Sequence, residues 1–175
     1  TFIKEKVSKI TCGSVEIKSQ PDFGPVISSE HYNFLKKLQN KSIKNGYLIC
    51  KSKSRNDTKN LFPLSLIKVP FNDEIFDNFE TFGPLLGVSY FNNSDKVLKK
   101  ISQSDYSLVC YLFTKNQKII NSSENLNLGS IGVNTTKIQS PGSPTGGNNL
   151  SGIGREGGIW GFEEFLTTVN YVIKK

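Results

Sequence analysis

The stretch that decides the fold is "LLGVSYFNNSDKVLKKISQSDYSLVCYLF", Leu85 to Phe113. Leu85 to Phe91 is apolar and β-prone. Ser94-Asp95 then supply the polar start of a helix running to about Ser102. Tyr106 to Phe113 follows as a continuous apolar run, the pattern of a strand buried on both faces. A strand, a helix and a second strand in that order predict a crossover connection and a parallel pair.

Working outward, Thr114 is placed to cap a helix to about Leu126, and Gly129 to Asn134 reads as a further strand. The alternation makes this an α/β layer with parallel pairs. Towards the amino terminus, Phe2 to Ile10 predicts an amphipathic helix with Phe2, Ile3, Val7 and Ile10 on one face. Ser29 is the expected cap of a helix over Glu30 to Lys44, ended by Asn45-Gly46. Tyr47 to Cys50 reads as a short strand and Lys51 to Asn60 as a polar, mobile excursion. Leu61 to Val69 is apolar and β-prone, and Pro63 within it indicates an edge strand or a strand start.

The composition is that of an ordinary soluble globule: 175 residues, 36% hydrophobic and 21% charged. No apolar run reaches the ~20 residues of a membrane helix, and no signal-peptide pattern is present. The net charge of +7 is spread over scattered lysines, so it reads as a solvated basic surface with no nucleic-acid partner. Cys12, Cys50 and Cys110 are far apart and lack metal-ligand spacing, and His31 has no ligand partner nearby in sequence. No metal site and no disulfide framework are expected, and the compartment is a reducing one, cytoplasm or mitochondrial matrix. His31 reads as a surface helix position. The chain has no methionine and begins at Thr1, which leads us to expect a processed piece or a portion of something longer. The lack of alanine beside abundant Asn, Lys, Ile and Ser reads as drift in an AT-rich genome, with no bearing on chemistry.

Pro144 to Phe165, "PTGGNNLSGIGREGGIWGFEEF", holds seven glycines in 22 residues. A phosphate-binding loop would end in Gly-Lys-Ser/Thr and feed a helix, and that ending is missing. Ile138, Leu150 and Ile153, spaced through the polar, glycine-rich stretch from Thr135 to Gly158, argue against a pure linker, which leaves a long functional loop or a rigid turn under another domain.

Three stretches together resemble the aldehyde dehydrogenase superfamily. "FETFGPLLGV" (Phe79 to Val88) is similar to the family's glutamate-x-phenylalanine-glycine-proline signature. "IGVN" followed by "SPTGGNNLSGIGREGG" resembles its strand-ending asparagine and glycine-rich loop. "PDFGPVIS" (Pro21 to Ser28) resembles the loop before a long helix. The order and spacing match, and the likeness covers nearly the whole chain. It implies an α/β fold with a three-layer, open, twisted, mostly parallel sheet and flanking helices. Residues 1–168 would be a catalytic-domain portion lacking the nucleophile segment, and residues 169–175 an oligomerisation strand.

The resemblance also implies roles. Glu80 matches the carboxylate that accepts both nicotinamide-ribose hydroxyls, and Phe82 the aromatic walling the nicotinamide. Thr135, Gln139 and Thr145 fall on aldehyde-tunnel positions, Thr145 standing where the family commonly has phenylalanine. Asn134 matches the strand-ending asparagine. Arg155 and Glu156 match a pair near the proton path and domain interface, with Glu156 an accessory group and a structural ion pair the competing reading. The catalytic cysteine, the general-base glutamate and the coenzyme domain would lie upstream of Thr1, and the three cysteines here would be structural. The cofactor implied is NAD or NADP, bound mainly by that coenzyme domain. The partners are the coenzyme domain, an aldehyde and further copies of the chain. The function expected is that of the carboxyl-terminal portion of an NAD(P)-dependent aldehyde dehydrogenase, inactive in isolation. The alternative is a non-catalytic remnant serving as a structural or interaction subunit.

Overall fold

A computed structural model describes residues 2–14, 20–72 and 80–174. The chain divides into two compact units, Thr1–Phe91 and Asn92–Lys175.

The first unit is organised by one helix lying on a small sheet. After α1 (Phe2–Lys9) and β1 (Thr11–Cys12), α2 runs over Ser29–Lys44. Its cap is Ser28, one residue earlier than expected, whose side chain accepts from the His31 amide at 3.1 Å. Asn45 and Gly46 end it, Gly46 turning at φ 70° and donating to the Ile43 carbonyl at 3.0 Å. Leu35, Gln39 and Ser42 form its buried stripe, at the i, i+4, i+7 spacing that one helix face allows. Two of these are polar, and each is satisfied. Gln39 Nε2 donates to Ser65 Oγ at 2.6 Å, and Ser42 Oγ donates to the Leu38 carbonyl at 3.0 Å. Left unpaired, either would cost about 1–3 kcal/mol.

The sheet under α2 has the order β2 (Leu48–Lys51), β4 (Ser65–Lys68), β5 (Leu85–Val88). β2 runs antiparallel to β4, and β5 parallel to it in the register Ser65↔Leu85 to Lys68↔Val88. The core is Leu35, Phe62, Ile67, Val69 and Leu85. Of the two positions indicated by Pro63, the strand start is correct and the edge is not. β4 begins two residues later with hydrogen-bonded neighbours on both sides. The expected polar excursion contains β3 (Lys53–Ser54), a parallel partner of β1. Two polar residues have no periodicity to read, and their partners, Thr11 and Cys12, lie far back in the sequence. On α1, Val7 is buried, but Phe2 and Ile3 of the predicted apolar face are exposed.

In the second unit, α3 (Ser94–Ser102) is capped by Asn93, then β6 (Tyr106–Ser107) leads into β7 (Val109–Leu112). α4 (Gln117–Ser123) and β8 (Ser130–Val133) complete a crossover, with β7 and β8 paired in parallel from Val109↔Ser130 to Leu112↔Val133. β9 (Asn148–Asn149) returns antiparallel to β6, and α5 (Gly158–Glu163) follows. The α/β class holds, and among the described residues parallel pairs outnumber antiparallel ones.

Two expectations need correction here. The Tyr106–Phe113 run is not buried on both faces, since Leu108, Val109, Tyr111 and Phe113 are exposed. Its composition suits two covering layers, and this chain does not supply both. The helix after it is also shorter than expected. Thr114 Oγ1 accepts from the Asn116 amide, and Asn116 is the cap, accepting from the Lys118 amide at 3.0 Å. Among the described residues no helix is long and apolar enough to cross a membrane.

Candidate functional site

The segment Glu80–Pro84 joins the sheet to solvent in the first unit. Its far end is fixed by the ladder, with the Ser65 amide donating to the Pro84 carbonyl at 2.8 Å. Its middle is pressed onto α2. A Cβ at Gly83 would stand 2.5 Å from Leu35 Cδ1, and Leu35 is fully buried, so glycine is what allows the loop to lie this low. Phe82 adopts φ 43°, in the left-handed region, and is 80% exposed. Such a backbone costs a bulky residue on the order of 1–3 kcal/mol and persists only where its surroundings enforce it. Here the Phe82 carbonyl accepts from His31 Nε2 at 3.0 Å, and the His31 ring stacks on Phe34 at 5.9 Å. Glu80 is exposed as well. A carboxylate and an aromatic thus stand two residues apart in solvent on a tightly held loop. A carboxylate accepts two hydroxyl donors and an aromatic offers a flat apolar wall, so the pair suits the sugar-and-ring end of a nicotinamide nucleotide. Phe79, the first residue of the quoted stretch, lies outside the described residues.

In the second unit the glycine-rich segment is a folded object. Thr145 and Glu156 exchange both backbone hydrogen bonds, at 2.7 and 2.8 Å, closing the loop on itself. Arg155 donates to the Gly147 and Gly154 carbonyls at 2.9 and 2.8 Å and to Asn148 Oδ1. Its guanidinium is therefore spent inside the loop, which replaces the ion-pair reading for Arg155-Glu156. Asn148 and Asn149 in turn bond Asn127, and Asn149 Nδ2 reaches Ser107 Oγ at 3.1 Å. Glu156 is exposed, and with Thr145 and Glu164 it borders an open groove of about 490 Å³.

Asn134 also has a structural task. Its Oδ1 accepts from the Thr114 amide and its Nδ2 donates to the Thr114 carbonyl, both at 2.9 Å, extending the β7–β8 ladder by one side-chain rung. Thr135 and Gln139 are exposed and do not border the Thr145–Glu156 groove. Thr135 Oγ1 accepts from the Lys137 amide at 3.0 Å.

The three cysteines sit on strands as free thiols. Cys12 is fully buried, with Sγ 3.4 Å from the Lys53 carbonyl. Cys50 and Cys110 are half-buried, and burial pushes the Cys110 thiol up from its ordinary pKa. No cluster of three His, Cys, Asp or Glu suited to a metal ion occurs among the described residues. Sequence reasoning missed His31, read as a plain surface position, and the Asn127–Asn148–Asn149–Arg155 clamp. The available signal was modest: an unusual density of asparagine, two of them at positive φ in this unit.

The aldehyde dehydrogenase family model matches residues 2–171. The chain belongs to the aldehyde dehydrogenase family. It is 27% identical to the non-phosphorylating aspartate-semialdehyde dehydrogenase of Halomonas elongata over 97% of this chain and 34% of that protein. It is 28% identical to the NADP+ succinate-semialdehyde dehydrogenase of Escherichia coli over 94% of this chain and 34% of that enzyme. Among solved structures, the betaine aldehyde dehydrogenase of Staphylococcus aureus in complex with NAD+ matches at 26% identity and a TM-score of 0.72. That match covers 99% of this chain and 38% of that one. This aldehyde dehydrogenase segment thus spans about a third of the length of its relatives.

Proposed function

We propose that the chain is the carboxyl-terminal catalytic-domain portion of an NAD(P)-dependent aldehyde dehydrogenase, and that Glu80 and Phe82 hold the nicotinamide end of the coenzyme. The observation that carries this is the Glu80–Pro84 loop: an exposed aromatic at φ 43°, an exposed carboxylate two residues before it, and a backbone held at the Phe82 and Pro84 carbonyls. When bound, NAD(P)+ takes up the hydride lost as the aldehyde becomes a carboxylic acid. Glu80 accepts the ribose hydroxyls, and Phe82 closes one side of the nicotinamide pocket. Thr145, with Thr135 and Gln139, lines the aldehyde path, which is more polar or wider for carrying threonine at 145. Glu156 stands beside Thr145 as an accessory group. The nucleophilic thiolate and most coenzyme contacts are assigned to the region that precedes this segment in the relatives, so the segment alone does not oxidise aldehydes. Val169, Tyr171, Val172 and Ile173, all exposed, are assigned to contact with a second subunit.

The test is Glu80→Gln in the full-length chain carrying this segment. Charge-assisted hydrogen bonds are worth roughly 1.5–3 kcal/mol, so aldehyde oxidation should fall about ten- to a hundredfold. Ester hydrolysis, which needs the thiolate and no hydride transfer, should change little, and the melting temperature should hold. If both activities and the melting temperature fall together, Glu80 serves the fold. If neither activity changes, Glu80 does not hold the coenzyme. A full-length parent that oxidises no aldehyde would turn the reading to the non-catalytic remnant.

A further inference from the structure

We infer that His31 is the positioning residue of the Glu80–Phe82 loop, setting the coenzyme-facing pair through the Phe82 carbonyl rather than by touching substrate. The inference rests on the coenzyme reading of that loop. Its physical basis is independent of it.

A left-handed phenylalanine needs something to hold it, and the surroundings of Phe82 supply few restraints. Its ring is exposed and contributes almost no burial. Gly83 and Pro84 are fixed from below by Leu35 and by the Ser65 amide, but those contacts act on the carboxyl-terminal side of Phe82. On its own carbonyl the hydrogen bond from His31 Nε2, at 3.0 Å, is the restraint. A carbonyl only accepts, so Nε2 carries the proton. His31 can act as an anchor because it is itself fixed. It sits in the first turn of α2, its amide bound to the Ser28 cap at 3.1 Å and its ring stacked on Phe34. The bond fixes the Phe82–Gly83 peptide against α2. From that fixed plane the left-handed Phe82 backbone, with Thr81 Oγ1 donating to the Leu85 carbonyl at 3.5 Å, directs the chain back to Glu80 two residues earlier. A shift of a few tenths of an ångström there moves a carboxylate whose role is distance-critical.

The experiment uses the full-length chain with His31→Ala and His31→Gln. Glutamine places an amide nitrogen the same number of bonds from Cβ as histidine Nε2, so it can donate to the same carbonyl. Hydrogen exchange of the peptide covering residues 80–86 should quicken in His31→Ala by about three- to tenfold, the weight of one neutral hydrogen bond. His31→Gln should restore it. Aldehyde oxidation should fall by a similar factor in the alanine variant and recover in the glutamine variant, with ester hydrolysis unchanged in both. Unchanged exchange in His31→Ala would overturn the anchor itself. Faster exchange with unchanged oxidation would leave the anchor standing and overturn its part in coenzyme positioning. Parallel loss of ester hydrolysis and melting temperature in both variants would make His31 a fold residue and overturn the inference.

Discussion

Glu80, Phe82 and His31 differ in how each departs from what its residue type prefers. An exposed phenylalanine at φ 43° gains little from burial and bears backbone strain, so burial does not account for its place and the coenzyme-facing role proposed above does. The thiols lie at the other extreme. Cys12 fills core, and Cys110 has a raised pKa because burial disfavours the thiolate. A group whose folded pKa lies above its unfolded value lends stability that is complete below the ordinary thiol pKa, about 8.5, and is lost as pH rises through the folded one. Since the thiolate is the reactive form, iodoacetamide at pH 8 should modify Cys110 more slowly in the native chain than in denaturant. The native rate should climb only at more alkaline pH. Native alkylation at neutral pH as fast as in denaturant would refute this and with it the structural role of Cys110.

At the scale of elements, the second unit is held together by backbone proximity and polar clips more than by an apolar core. Among its described residues Leu126 is the buried hydrophobic, while Asn134, Asn148, Asn149 and Arg155 bridge strands and loop. Glycines matter where that proximity is closest. A Cβ on Gly129, at the entrance to β8, would lie 1.7 Å from the Gly146 carbonyl oxygen and 2.8 Å from that of Leu108. Neither atom is the end of a flexible side chain, so strand and loop would have to part. Gly129→Ala should therefore lower the denaturant midpoint by at least about 1–3 kcal/mol equivalent, the cost of overpacking. Gly142 is the control, because a Cβ there meets nothing within 4 Å. Gly142→Ala should stay within about 0.5 kcal/mol of the parent. Equal effects of the two substitutions would mean that the glycine-rich loop does not pack against β8.

At the scale of the whole molecule, the chain carries about a third of the length of its relatives and exposes apolar surface to match. One face of β7 is open, and Phe162, Phe165, Val169 and Tyr171 lie in solvent. The coenzyme-facing residues assigned here reach only the nicotinamide end of a dinucleotide. Calorimetry on the 175-residue chain should accordingly find NAD+ binding no tighter than about millimolar, some −4 kcal/mol. Micromolar affinity would place a substantial coenzyme site within this segment and contradict the proposed division of labour.

What the sequence determined by itself was local. Capping residues, Asn45-Gly46 and the strand–helix–strand order gave the limits of α2 and α3 within a residue or two and the α/β class, because these signals act between near neighbours. The family was legible in three short motifs whose spacing no local preference explains. Tertiary structure alone decided the rest. The β1–β3 pair, the central position of β4, the short α4 and the diversion of Arg155 into the loop each join groups distant in sequence. His31 is the clearest case: its partner carbonyl is 51 residues away. A hydrogen bond across that interval leaves no periodicity to read, since only the packing of α2 on the sheet brings its two ends within 3.0 Å.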